Sequence, residues 1–479
     1  MYDVRDLTVA KAHDAFRKGP CSCKDLTEMY LDRIVRLDKS GPKICSTLAL
    51  SSTALDEAAS LDAYYRRYGR FKGRLHGIPI LIKDQADTRG IETMYGSIAA
   101  RGNVPEGDAF VVKKLKDEGA IVLGKTTMSE WASTWSSAST ATNWEFTRNP
   151  YKTDHDVGGS SSGSAAAVAA NFALLAVAED TGGSIRCPAS FRNLVGIRIT
   201  PGPVARTVSD CALMLDCMVG YDPADDFTGV NLVAAAPKGG SYSAGLDPDK
   251  IKSARIGLVR ELFGPDSNPY CRAVNAVVEG AMSKLRASGT TFVDVSIDNL
   301  KHHMTFTPNY LQMSRSDINA FLATKPHLPQ DIAEIVPKKP QKMFLDFTSM
   351  MAHGPENPTD DPLYVEKLLD SDRFQRTLNC LMLEKKLDPS AFPDCQVPPP
   401  RQEDATNGRF PTCWDFPINT LLASQARLAA VTVPAGFTEE GLPVGLEFVS
   451  WEYREKELLE LARGMEVIVD ARRSPPPPL

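Results

Sequence analysis

The sequence predicts an α/β protein built around a sheet buried on both faces. Three observations carry that expectation. Short, almost wholly apolar runs recur along the chain, as at residues 77–82, 120–124 and 174–177, and such runs suit strands covered on both sides. Between them lie stretches whose apolar residues repeat at helical spacing. The 479 residues are enough for a large buried core, and strands alternating with helices in this way build α/β sheets.

The first part, about residues 1–70, is helical. Within residues 25–37, Leu26, Met29, Tyr30, Ile34 and Leu37 form one stripe; Ser22 or Cys23 sits near its start and Gly41-Pro42 follows its end. A second helix is expected over residues 53–67, with Ala54, Leu55, Ala58 and Leu61 on one face. In the strand over 77–82, Pro79 suits the beginning or an edge, and Lys83 follows at once. A helix around 110–118 precedes the strand over 120–124. The Ala-rich stretch 164–172 reads as a helix and 174–177 as a strand. Residues 237–249 read as a loop, 256–259 as a strand and 274–285 as a helix. Residues 326–361 and 387–412 are crowded with proline and read as irregular surface or pocket-forming segments. Residues 429–437 read as a strand running into a turn, 457–468 as a helix, and 474–479 as a Pro-rich tail.

Composition narrows the function classes. Hydrophobic residues make up 43% and charged residues 24%, with a formal charge of −6. That balance argues against a broad nucleic-acid footprint. The longest apolar stretch, residues 164–178, is broken by Asn171 and too short to span a membrane. The charged N-terminus lacks an apolar signal core, so a cytoplasmic protein is expected. The ten cysteines are scattered without CxxC pairs, which points to neither a disulfide framework nor a zinc site. Cys187 reads as a packed small residue.

Three local features can carry chemistry. Lys83 ends an apolar strand, where burial disfavours its charge and can make it a base. Residues 158–167, Gly-Gly-Ser-Ser-Ser-Gly-Ser-Ala-Ala-Ala, lead glycines and serines into an Ala-rich helix, allowing close backbone approach. Residues 180–190 begin Asp180-Thr181-Gly182-Gly183-Ser184-Ile185-Arg186, a turn whose successive amides can bind developing negative charge. Each alone has a plainer reading: a lysine that is solvated or paired with Asp84 or Asp87, a capped helix start, a tight turn.

Together these features resemble the amidase-signature family. Gly77-Ile78-Pro79-Ile80-Leu81-Ile82-Lys83-Asp84 matches its lysine segment, residues 158–167 its glycine–serine segment, and residues 180–189 its nucleophile segment. Residues 124–132 and 202–208, Pro434-Ala435-Gly436-Phe437 and residues 441–446 match as well. The resemblance implies one amidase domain over 1–479. Its fold would be a large mixed, twisted β-sheet flanked by α-helices on both faces, with the catalytic motifs in 77–208 and a variable substrate region in about 298–412. It implies amide hydrolysis through an acyl-enzyme on Ser184, with Ser160, after a cis Gly159–Ser160 bond, as proton relay and Lys83 as base. The amides of Thr181, Gly182, Gly183 and Ser184 would hold the oxyanion, and Asp180 and Arg186 would support the turn. The implied partner is a small-molecule amide, with no metal or cofactor; homodimer formation stays open.

The sequence departs from the family in three places. Ser162 stands for a glycine, Ala178-Glu179 for Gly-Thr, and the segment between residues 195–201 and 202–208 is shortened to a direct join at Pro201-Gly202-Pro203. The last departure raises a second expectation, a catalytically impaired relative that acts by binding. A third is the glutamine-amidohydrolysing A-type subunit of a tRNA amidotransferase, which shares the motifs.

Overall fold

The computed structural model describes residues 2–232, 234, 237, 239–338, 346–406 and 415–479. Eleven strands among them form one mixed sheet. They are β1 (Thr47–Leu50), β2 (Pro79–Lys83), β3 (Ile121–Thr126), β4 (Leu175–Ala178), β5 (Val195–Ile197), β6 (Gly202–Ala205), β7 (Arg255–Val259), β8 (Thr291–Val295), β9 (Ser390–Pro393), β10 (Ala429–Phe437) and β11 (Pro443–Ser450). Their order across the sheet is β1-β3-β2-β4-β6-β5-β10-β11-β9-β7-β8. β3, β2 and β4 run parallel, as do β9, β7 and β8, while β4 to β9 are joined through antiparallel pairs. Every residue of β2, β3, β4 and β11 is buried, as expected of strands covered on both faces.

The N-terminal region carries helices α1 (Val9–Lys18), α2 (Cys23–Arg33) and α3 (Ala54–Tyr68). Ser22 caps α2, its hydroxyl accepting from the Asp25 amide while the Asp25 carboxylate accepts from the Ser22 amide. This reciprocal pair satisfies two otherwise unpartnered donors. Helix α4 (Phe110–Asp117) leads into β3, and α5 (Ser162–Ala169) into β4. All eight residues of α5 are buried, which explains its alanines and glycine: larger side chains would hold it away from the strands. α6 (Arg186–Ser190), α7 (Val208–Met218) and α8 (Pro269–Ala287) follow, and the helix Glu455–Val469 packs on β10.

The two Pro-rich segments are more regular than expected. Residues 387–412 contain β9, four buried residues paired with β11 on one side and β7 on the other. Four residues ending in Pro393 are too few to show a period, so the tertiary pairing defines this strand. Residues 326–361 contain the helices Ile332–Ile335 and Asp346–Ala352; the expectation for residues 339–345, like that for 407–412 and Cys413, falls outside the described residues. The shortened join is a tight hairpin. β5 and β6 pair antiparallel, Val195 with Ala205 and Gly196 with Val204, across a turn holding a cis Thr200–Pro201 bond. The sheet is therefore continuous through the shortening.

Gly163 in α5 fixes how this helix meets the sheet. Its amide donates to Thr127 O at 3.0 Å, and a Cβ there would lie 2.2 Å from Ser46 O and 2.5 Å from the Thr127 amide nitrogen. Both are backbone atoms and cannot swing aside. Gly163→Ala is expected to destabilise the fold by about 1–3 kcal/mol, the usual cost of overpacking, read as a lower urea midpoint; an unchanged midpoint contradicts this packing.

Candidate active site

The parallel register of β2 and β4 sets Ile82 beside Val177. Lys83 and Glu179 consequently leave the same carboxyl edge of the sheet side by side, where open α/β sheets place their ligands. Lys83 is 1% exposed. Its Nζ donates to Ser160 Oγ at 2.8 Å and to Glu179 Oε2 at 3.2 Å. Burial pushes its pKa below the usual lysine value, against the Glu179 and Asp180 carboxylates, which raise it. The plainer sequence readings of Lys83 do not hold. Asp84 instead accepts from the Met94 and Gly96 amides, and Asp87 pairs with Lys325 and Tyr95.

Ser160 is fully buried and follows a cis Gly159–Ser160 bond, as the resemblance implied. Its carbonyl accepts from the Ser129 amide at 3.1 Å, and the next amide, Ser161, donates to Ser184 O at 3.2 Å. The second contact fastens the serine loop to the nucleophile turn. The substituted Ser162 donates its hydroxyl to Gly158 O at 2.8 Å, so this departure braces the loop.

In the turn itself, the buried Asp180 carboxylate accepts from the amides of Gly183 at 2.6 Å, Ile185 at 3.1 Å and Arg186 at 3.3 Å. Burial raises its pKa, but the Arg186 charge and these hydrogen bonds outweigh that and bring it to about 2. The Gly183 amide is thus committed to Asp180, which corrects its expected place among the oxyanion donors. Among the described residues, the amides of Thr181, Gly182 and Ser184 have no protein acceptor. Gly183 is needed for another reason: its φ is +130°, and a Cβ would lie 1.9 Å from Thr420 Oγ1. That hydroxyl donates to Gly182 O at 2.8 Å. Ser184 is half-buried and lines the chamber described below. Ser184 is tied to the serine loop through the Ser161 amide; among the described residues the Ser160 and Ser184 hydroxyls share no hydrogen bond.

Arg186 is fully buried. Besides its paired contacts of 3.0 Å with Asp180, it donates to Thr420 O at 2.8 Å, to Ser424 Oγ at 2.8 Å and to Glu447. Thr420, Ser424 and Glu447 lie more than two hundred residues from the turn in sequence, and no local signal marks them. Glu179 was visible only as a departure.

A chamber of about 780 Å³ opens over Ser184. Trp131 and Trp135 wall it from the segment after β3, Met313, Ile318 and Phe347 from residues 298–412, and Leu421 from the segment before β10. Beside it a cavity of about 470 Å³ is lined by Arg198, Ile199, Thr200 and Pro201 of the shortened hairpin. Among the described residues one trio, His302, His303 and Asp370, could hold a metal. The Asp370 oxygens already meet Arg373 at 2.6 Å and His303 at 2.8 Å, so this trio is an ion-paired cluster.

Comparison with known proteins agrees with this geometry. The family model described as Amidase matches residues 25–201 and 198–459, two stretches that meet at the shortened hairpin. The chain is 30% identical to the A-type subunit of the glutamyl-tRNA(Gln) amidotransferase of Moorella thermoacetica, over 98% of each chain. It is 31% identical to the native peptide amidase of Stenotrophomonas maltophilia, covering 99% of each chain with a TM-score of 0.83. An amidase family protein of Bacillus anthracis is 28% identical, with a TM-score of 0.81 over 99% of this chain and 93% of that one. With the lysine, the serine loop and the Gly-Gly-Ser turn assembled at one sheet edge, this chain belongs to the amidase family, hydrolases of amide carbon–nitrogen bonds.

Proposed function

We propose that this chain hydrolyses amides bearing a bulky apolar group, through an acyl-enzyme on Ser184. The observation that carries the reading is the buried contact of 2.8 Å between Lys83 Nζ and Ser160 Oγ, beside the turn that presents Ser184. A serine hydroxyl is a poor nucleophile until a base takes its proton. In the forward step Ser184 Oγ attacks the amide carbon, its proton passes to Ser160, and the Ser160 proton passes to neutral Lys83. The amides of Thr181, Gly182 and Ser184 receive the oxyanion. The relay then returns the proton to the leaving nitrogen as the C–N bond breaks. Water, deprotonated along the same path, releases the acid. Asp180 and Arg186 hold the turn.

The chamber supports the substrate class. Its indole, phenyl and aliphatic walls favour an apolar or aromatic group over a small polar amide, and the likeness to a peptide amidase fits a substrate of that size. A second reading, an A-type amidotransferase component, draws support from the 30% identity along nearly the whole chain. Co-purification with a second, different chain would favour it. A binding-only role has less support, because Lys83 and Ser160 are hydrogen-bonded and the sheet runs unbroken through the shortened segment. No helix among the described residues is long and apolar enough to cross a membrane. The nine cysteines among the described residues are free, which fits a reducing, cytoplasmic setting.

Ser184→Ala is expected to lower kcat on aryl amides by about 10⁴-fold or more. Lys83→Ala should lower it by about 10²–10⁴-fold, and a fluorophosphonate probe should label wild type but not Ser184→Ala. Activity that survives both changes contradicts the mechanism. Met313→Lys places a charge in the half-exposed chamber wall. It should reduce kcat/KM for aryl amides by roughly tenfold, about 1.4 kcal/mol, while leaving acetamide turnover within about twofold of wild type. Equal losses on both substrates contradict an apolar binding chamber.

A further inference from the structure

Glu179 is the one acidic side chain hydrogen-bonded to Lys83 among the described residues, and it is itself 6% exposed. Four contacts fix it. Its Oε2 accepts from Lys83 Nζ at 3.2 Å and its Oε1 from Thr181 Oγ1 at 2.7 Å. Its amide donates to Ser161 Oγ at 3.2 Å, and its carbonyl accepts from the same hydroxyl at 3.1 Å. The carboxylate therefore cannot turn away from the lysine without breaking a bond to the oxyanion turn, and its backbone is tied to the serine loop. A lysine with two such acceptors points its Nζ along a fixed line to Ser160.

We propose that Glu179 is a positioning residue for the base: it aims Lys83 at Ser160, and its carboxyl group opposes the loss of the lysine proton that burial favours. The inference rests on the reading of Lys83 as the base. The reactive form arises when Lys83 releases one proton to solvent. The lone pair left on Nζ then accepts the Ser160 proton, while Ser160 takes that of Ser184. Glu179 neither gains nor loses a proton in this step.

The surrounding charges are consistent with that role. Burial lowers the Lys83 pKa, and the effects opposing it come from Glu179 first and Asp180 second. Asp180 is itself held by Arg186, which leaves Glu179 as the larger lever. On the neighbouring strand β3, Lys125 turns to Thr93, at 3.1 Å, and to the segment after Asp84. The serine loop on the remaining side offers hydroxyls only. Removing the Glu179 charge should thus make Lys83 easier to deprotonate.

The test is the pH profile of kcat/KM for an aryl amide in wild type, Glu179→Gln and Glu179→Thr, with the Lys83 13Cε resonance titrated by NMR in each and assigned by its loss in Lys83→Met. In wild type the Glu179 13Cδ resonance should move together with the Lys83 titration, as for a carboxyl group hydrogen-bonded to Nζ; a Glu179 resonance blind to that titration overturns the proposal even if neither variant folds. In a folded variant the acidic limb and the Lys83 midpoint should both move down by about one unit or more, with KM within about twofold. A midpoint that stays or rises overturns the proposal. Full activity in Lys83→Ala would instead remove the base assignment, and the NMR midpoints would still report whether Glu179 holds the charge.

Discussion

The Arg186 guanidinium lies wholly out of water, so each of its five N–H groups must find an acceptor inside the protein. It does so with Asp180, Thr420, Ser424 and Glu447. These partners belong to the nucleophile turn, the segment before β10, and β11. A buried charge left unpaired costs about 3–5 kcal/mol, so the arginine forces three distant parts of the chain into one arrangement. Asp180 passes that constraint on, since its carboxylate gathers three turn amides and leaves Thr181, Gly182 and Ser184 facing the chamber. On the far side, burial and the facing Glu447 carboxyl push the Asp394 carboxyl well above its usual range.

The second constraint is the parallel register of β2 and β4. It brings Lys83 and Glu179 to one edge, their side chains 3.2 Å apart, and the burial that makes Lys83 a candidate base also strengthens the pull of Glu179 on it. A lysine there without a carboxylate would be easier to neutralise; a lysine with one is better aimed. The chain thus sets burial, which lowers the Lys83 pKa, against a carboxyl group that orients the lysine and partly offsets that lowering.

Much of this could be read from the sequence, for reasons of locality. The strands β2, β3 and β4 are legible because burial on both faces makes them continuously apolar. The Lys83, Ser160 and Ser184 segments are legible because each is a short motif. β9 was missed because four residues ending in Pro393 carry no period, and only pairing with β7 and β11 makes them a strand. Thr420, Ser424 and Glu447 were missed because their role exists only where distant segments meet. The Gly183 amide was assigned to the oxyanion because the motif does not reveal that Asp180 folds back to accept it. Glu179 showed only as a departure from the family, since sequence cannot show that β4 delivers it to Lys83.

The shortened hairpin bears on whether such a site can turn over. The groups proposed to move protons hang from the end of β2, the loop before α5 and the turn after β4, and none lies in the join. Among the described residues, one hydrogen bond links the join to the turn, Thr200 Oγ1 donating to Asp180 O at 2.8 Å. Arg198, Thr200 and Phe227 line both the chamber over Ser184 and the cavity beside the hairpin. Shortening the chain there changes the wall that a substrate meets and leaves the support of the relay intact. The groups proposed to move protons therefore stand apart from the join, held by β2, β4 and Arg186, while the join itself lies in the chamber wall.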